Sequence, residues 1–178
     1  MSYEYGFGAI DAAAAVNLAV NWLRVGEEVL VNSDLENVIQ PIPNGSAEGI
    51  TKNTTVLENI IVEKAEVIFD ATHPDWGDFT VKLISPNGTE SVLASPIPKP
   101  PNSISDSENI MPDSPEWKFI SLRHWGESSE GEWKLQVIDN NDNELKGMWN
   151  SWKLNLYGLK PDQSAKPVTN TKDSDSGS

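Results

Sequence analysis

Trp133, Leu135 and Val137 stand at every second position of one run, with Lys134 and Gln136 between them. A side-chain period of two belongs to a strand with one buried face, because successive side chains leave a pleated backbone on opposite sides. The same alternation recurs as Ala65/Val67/Phe69, Phe79/Val81/Leu83 and Trp152/Leu154/Leu156. Turn-forming residues separate these runs. Ser85-Pro86-Asn87-Gly88-Thr89 is the clearest case, since proline presets φ for the second turn position and Asn-Gly tolerates positive φ. Strands are predicted at 56–62, 65–70, 79–84, 91–94, 117–122, 132–138 and 149–157. Short one-faced strands without alternating helices define an all-β chain. Two sheets packed through their apolar faces, a β-sandwich, bury such strands.

The N-terminal segment reads differently. Asp11 is a good N-cap, its carboxylate accepting otherwise orphaned backbone N–H groups, and Ala12 to Leu23 favour helix. A helix within residues 3–25 would put Ala12, Ala15, Val16, Ala19 and Leu23 on one face beside Trp22, with Gly26 as its stop. Residues 27–55 read as mostly irregular, with a turn cluster at Pro41-Ile42-Pro43-Asn44-Gly45. Residues 95–115 read as a long proline-rich loop, and the polar residues 160–178 as a disordered tail.

The net charge of −14 disfavours nucleic acid and anionic membranes as partners, and is compatible with calcium or a basic partner. Without cysteine there is no disulfide, no thiol chemistry and no cysteine-bound zinc. No apolar run reaches the roughly 18 residues of a transmembrane helix, and no basic-then-apolar leader follows Met1.

His124-Trp125-Gly126-Glu127, followed by Gly131 and Trp133, reads as a tight turn feeding a strand, with Gly126 and Gly131 suited to positive φ. Ile42–Gly45, Trp76-Gly77-Asp78-Phe79, Leu83–Thr89, Trp117-Lys118-Phe119 and Trp152-x-Leu154 accompany it in order. This ordered set resembles the P domain, or homo B domain, that follows the catalytic domain in kexin- and furin-like subtilisin-family serine proteases. The resemblance runs from about Pro41 to Gly158. Tyr5-Gly6-Phe7-Gly8-Ala9-Ile10-Asp11-Ala12 is similar to the turn that opens the last helix of subtilase catalytic domains. One departure is visible: mammalian convertases carry Arg-Gly-Asp where this chain has Trp76-Gly77-Asp78, so a role attached to that Arg does not transfer.

The resemblance implies a jelly-roll sandwich of the galactose-binding-like kind with a short N-terminal helix. It implies three segments: 1–26 as the end of a catalytic domain, 34–159 as the P domain, and 160–178 as the tail. It further implies a partner, the catalytic domain of the same precursor, whose fold the module stabilises and whose calcium and pH dependence it influences. The parent would be a calcium-dependent Ser/His/Asp endopeptidase, often cutting after basic residues, extracellular or in the secretory pathway. His124, Trp125, Gly126, Glu127, Gly131, Trp133, Trp152, Gly77 and Asp78 would then be structural motif residues.

Catalytic residues are expected to be none within this chain. A triad needs a base beside a nucleophile, only His73 and His124 are available, and no Gly-Thr-Ser-Met-like nucleophile motif is present. Calcium is the one cofactor considered. Its candidate ligands are Asp139, Asn141 and Asp142 within 139–144, and Asp75 and Asp78 near Asp70. The same residues are equally read as turns closed by local hydrogen bonds. Trp133 and Trp152 lie on apolar strand faces and are predicted core. Trp76 and Trp149 sit in turn-like sequence as surface candidates, which leaves a second reading: an independent jelly-roll module binding carbohydrate or protein.

Overall fold

The computed structural model describes residues 8–20, 22–24, 26–97, 116–142, 145–163 and 166–167. They fall into two units, one within 1–27 and 162–178, the other 28–161. In the first, α1 (Ala12–Ala19) is capped by Asp11, whose side chain accepts from Ala14 N–H at 2.9 Å. The helix is shorter than the sequence suggests. Leu23–Arg24, predicted helical, form β1, paired antiparallel with β11 (Lys166–Pro167). That pairing and a 3-10 turn at Pro161–Gln163 give regular structure to residues assigned to a disordered tail. None of the helix residues is buried, although Val16 and Leu18 are among them.

The second unit holds β2 (Val29–Asn32), β3 (Glu36–Ile42), β4 (Ile50–Val56), β5 (Ile61–Thr72), β6 (Phe79–Ile84), β7 (Glu90–Ala94), β8 (Trp117–Ser121), β9 (Gly131–Asp139) and β10 (Gly147–Leu159). One sheet runs β2-β10-β5-β8, with β3 also on β10; the other runs β4-β9-β6-β7. The pairs β6–β7, β5–β8, β4–β9 and β3–β10 nest one inside the next, all antiparallel. That is one long hairpin rolled up so that successive rungs fall in alternate sheets, the jelly roll.

Between the sheets Trp133, Leu135 and Val137 join Val67, Phe69, Val81, Leu83, Trp152, Leu154 and Leu156 in one buried cluster. Each fully buried aliphatic or aromatic side chain of this kind contributes about 1.5–3 kcal/mol. The period-two reading is therefore met on the central strands.

Two strand predictions need correction. Residues 27–55 contain β2, β3 and β4 rather than irregular chain. These strands bury few side chains: in β4 only Thr54 and Val56. Their apolar pattern is correspondingly weak. The run 56–62 is not one strand: β4 ends at Val56 and β5 begins at Ile61, and between them Ile60 N–H donates to Ser129 Oγ at 2.8 Å. The proline-rich loop lies mostly outside the described residues.

β3 carries one irregularity. Its pairing with β10 shifts between Trp149↔Gln40 and Ser151↔Asn37, so Val38 and Ile39 together oppose Asn150. Ile39 has φ 46°, the one positive value at a described non-glycine residue. A β-branched residue in that region is an outlier costing about 1–3 kcal/mol.

Candidate functional site

A buried histidine packs near each end of β9, His124 on Trp133 and His73 on Asp139. At its start, residues 122–130 fold back across the beginning of β5. Gly126 N–H donates to Val62 O at 2.7 Å, and Val62 N–H to Glu127 O at 2.8 Å. Gly126 (φ 85°) and Gly131 (φ 131°) take the predicted positive values. At Gly131 a Cβ would lie 2.7 Å from the Pro86 ring, so that close approach excludes any other residue. His124 stands edge-on to Trp133, with ring centroids 5.0 Å apart. Trp133 Nε1–H donates to Ser129 O at 2.8 Å, and Ser129 Oγ–H to Glu58 O at 2.5 Å. Ser129 was not legible as a site residue; it ties three segments through one hydroxyl and one carbonyl.

His124 is fully buried, and neither ring nitrogen has a hydrogen-bond partner among the described residues. Glu127 Oε2 lies 4.0 Å from Nδ1, beyond hydrogen-bond reach. Burial pushes the His124 pKa down; Glu127 opposes this and Arg123 adds to it. Beside it Trp125 is half exposed.

At the other end of β9, His73 follows β5 and its Nε2 meets Asp139 Oδ2 at 3.2 Å, both side chains fully buried. His73 Nδ1 accepts from Asp75 N–H at 3.0 Å. The ring packs on Phe79, and a Cβ on Gly147 would lie 2.6 Å from it. Asp75 caps a 3-10 turn, Trp76–Asp78, by accepting from Gly77 N–H at 3.0 Å. Asp78 accepts from the Asn141 side-chain amide, and Asn141 N–H donates to Asp139 Oδ1 at 3.2 Å. Asn140 Nδ2–H donates to Asp78 O at 2.6 Å. Burial pushes the Asp139 pKa up, opposed by the Asn141 N–H and by His73.

Asp75, Asp78 and Asp139, proposed from sequence as calcium ligands, are thus gathered with Asn141 and face nitrogen donors. Asp142 is exposed, with its Cβ against Gly45, and Asn143 and Glu144 lie outside the described residues. Among the described residues no three of His, Asp and Glu are grouped to suit a metal ion. Among the described residues neither imidazole addresses a hydroxyl nucleophile: His73 meets Asp139 and Asp75, and His124 packs on Trp133.

Trp133 and Trp152 are core, as expected. Trp76 and Trp149 are not surface residues. Both are buried, Trp76 stacked on Trp117 at 4.0 Å and Trp149 edge-on to Phe69 at 5.7 Å. Their Gly, Asp and Asn neighbours read as turns, but distant aromatic partners cover both rings. The exposed tryptophan platform that a carbohydrate-binding reading required is therefore missing at these two positions.

The class that this nested sandwich and its His124–Trp133 corner motif define is confirmed by comparison. A family profile described as the proprotein convertase P-domain matches residues 62–156. The chain belongs to that P-domain family. It is 28% identical to proprotein convertase subtilisin/kexin type 5 of Branchiostoma californiense, over 95% of this chain and 11% of that protein. It is 32% identical to protease KEX1 of Kluyveromyces lactis, over 88% of this chain and 20% of that protein. A solved structure, the serine protease of Aeromonas sobria in complex with its chaperone, superposes with a TM-score of 0.73 at 23% identity, covering 90% of this chain and 32% of that one. The chain thus spans about a tenth to a fifth of the curated relatives it matches.

Proposed function

We propose that this chain is the accessory module of a kexin-like subtilisin-family serine endopeptidase. In this reading it packs against the catalytic domain of the same precursor and stabilises it without taking part in the chemistry. The observation that carries the reading is α1. It is built of alanine, valine and leucine apart from Asn17, is capped by Asp11, and buries none of its residues. A helix of that composition is stable chiefly through packing, and the resemblance of residues 5–12 supplies the domain to which it would belong.

The secretory or extracellular location belongs to the same proposal, supported by the character of the relatives. So does the calcium dependence, which we assign to the catalytic part rather than to the Asp75–Asp78–Asp139 cluster, since those carboxylates already accept from nitrogen donors. Among the described residues no helix is long and apolar enough to cross a membrane.

Deleting residues 28–161 from the complete protease tests the reading. Loss of active protease, or a much shorter half-life, is expected; an enzyme of undiminished activity and half-life would refute it. A thermal melt of this chain in calcium and in EDTA tests the assignment of the ion. Binding to the folded state alone at a hundredfold excess over Kd would add about 2.7 kcal/mol, and an unchanged midpoint is expected.

A further inference from the structure

Ile39 is both strained and exposed. Its φ is 46° and it is 73% exposed. It sits at a bulge, where an extra residue turns a side chain out of the regular pleat. A bulge residue in the left-handed region is normally glycine, which takes that φ without a steric penalty. An isoleucine in that place adds an aliphatic side chain to the surface and holds it in an unfavourable backbone conformation. Strained residues of this kind concentrate where a chain meets something else.

The surroundings say what kind of partner fits. Two residues along, exposed Pro41 pairs with the partly exposed Met148, and Leu35, just before the strand, is exposed as well. Residues 37–47 contain no charged side chain, in a protein of net charge −14 in which 22% of residues are charged. This neutral, aliphatic break in an acidic surface does not suit a basic ligand, a nucleic acid or an anionic membrane. It offers no aromatic face for a sugar to stack on. Nor does it suit an added β-strand, because the bulge interrupts the ladder and Pro41 lacks an N–H to continue it. The fitting partner is an apolar depression in another folded surface, filled by side chains.

We propose that the β3 bulge, with Ile39 at its apex and Pro41 and Met148 beside it, is a docking knob for the catalytic domain of the same polypeptide. The proposal rests on the reading given under Proposed function. The relatives supply the occupant: this chain covers only 11% and 20% of two of them. A partner carried in the same polypeptide is present whenever the module folds. That permanence is what a built-in strain requires if it is to be offset in every molecule.

Ile39→Gly separates this role from a purely internal one, because the two give opposite signs. In the 178-residue chain, glycine relaxes the backbone and removes exposed apolar surface, so the Tm rises by about 2–4 °C. In the complete protease the same change removes the knob, and thermal inactivation of proteolysis becomes roughly threefold faster or more. Ile39→Asn, which also tolerates positive φ, follows Ile39→Gly in both settings. Stabilisation of equal size in both settings overturns the proposal, as does sedimentation showing that the isolated chain is a dimer which Ile39→Gly dissociates. Either of those results leaves the accessory-module reading intact. That reading falls instead if deletion of 28–161 leaves the protease unaffected, and the proposal falls with it.

Discussion

The two ends of β9 solve one problem in opposite ways. Each buries an imidazole where one sheet meets the other. His73 is held by hydrogen bonds to Asp139 and to the Asp75 backbone. His124 is held by ring packing against Trp133, with both nitrogens unpartnered. A buried polar group without a partner carries a desolvation cost of about 1–3 kcal/mol, whereas a satisfied one contributes modestly. The His73 corner is therefore a polar clamp that fails if any member is lost. The His124 corner is an apolar plug whose polar atoms subtract from its stability.

Substitutions test that contrast. Trp133→Ala has the largest expected effect, a loss of about 3–5 kcal/mol in chemical denaturation, because it removes the fully buried ring on which His124 rests. A loss below about 1 kcal/mol would mean that the core does not depend on this strand face. At the other end, Asp139→Ala leaves His73 Nε2 and the Asn141 N–H without their acceptor and should cost about 2–3 kcal/mol. His73→Phe should come close to that, since it strands the Asp139 carboxylate in the interior. His124→Phe is the sharpest discriminator. With no hydrogen bond to lose and a desolvation cost removed, it should not destabilise the chain at neutral pH and should gain up to about 2 kcal/mol. If it proved as damaging as His73→Phe, the two corners would be alike and the contrast would fail.

Acid gives the smallest and most specific signal. The His124 pKa is lowered by burial from 6.5, so below that pH the unfolded chain binds the proton that the folded chain refuses. Its contribution to stability is full above pH 6.5 and is lost as pH falls through the depressed value. Asp139 has the opposite sign. Its pKa is raised by burial from 3.8, so the folded chain binds the proton first and this contribution grows as pH falls toward 3.8. Melting curves of His124→Phe and Asp139→Asn across this range should therefore deviate from the parent in opposite directions. His124→Phe removes a loss below pH 6.5, and Asp139→Asn removes a gain.

Where two faces of one strand differ strongly, the fold is legible from sequence. Trp133–Val137 and Trp152–Leu156 announce themselves because everything on one side is core. β2, β3 and β4 bury too few side chains for the alternation to register. Non-local contacts are hidden for a different reason. Trp76 reads as a turn residue among His73, Pro74, Asp75, Gly77 and Asp78, and packing on Phe79 and on the distant Trp117 makes it core. Asp139 reads as the first residue of a calcium loop, and only His73, far upstream, turns it into half of a clamp. The motif around His124 was legible as a turn and strand, while Ser129, which fastens it, has no local signature.

The nested pairing has a consequence in time as well as in space. The innermost rung, Ile84↔Glu90, is closed by a five-residue turn. The outermost, Val29↔Gly158, encloses about 130 residues, and such long closures form slowly. Assembly should therefore begin at the Pro86–Gly88 turn and spread outward rung by rung. The strand that carries Ile39, followed outward only by β2, would be laid down late, so the surface proposed for docking would form on a module whose inner rungs are already closed.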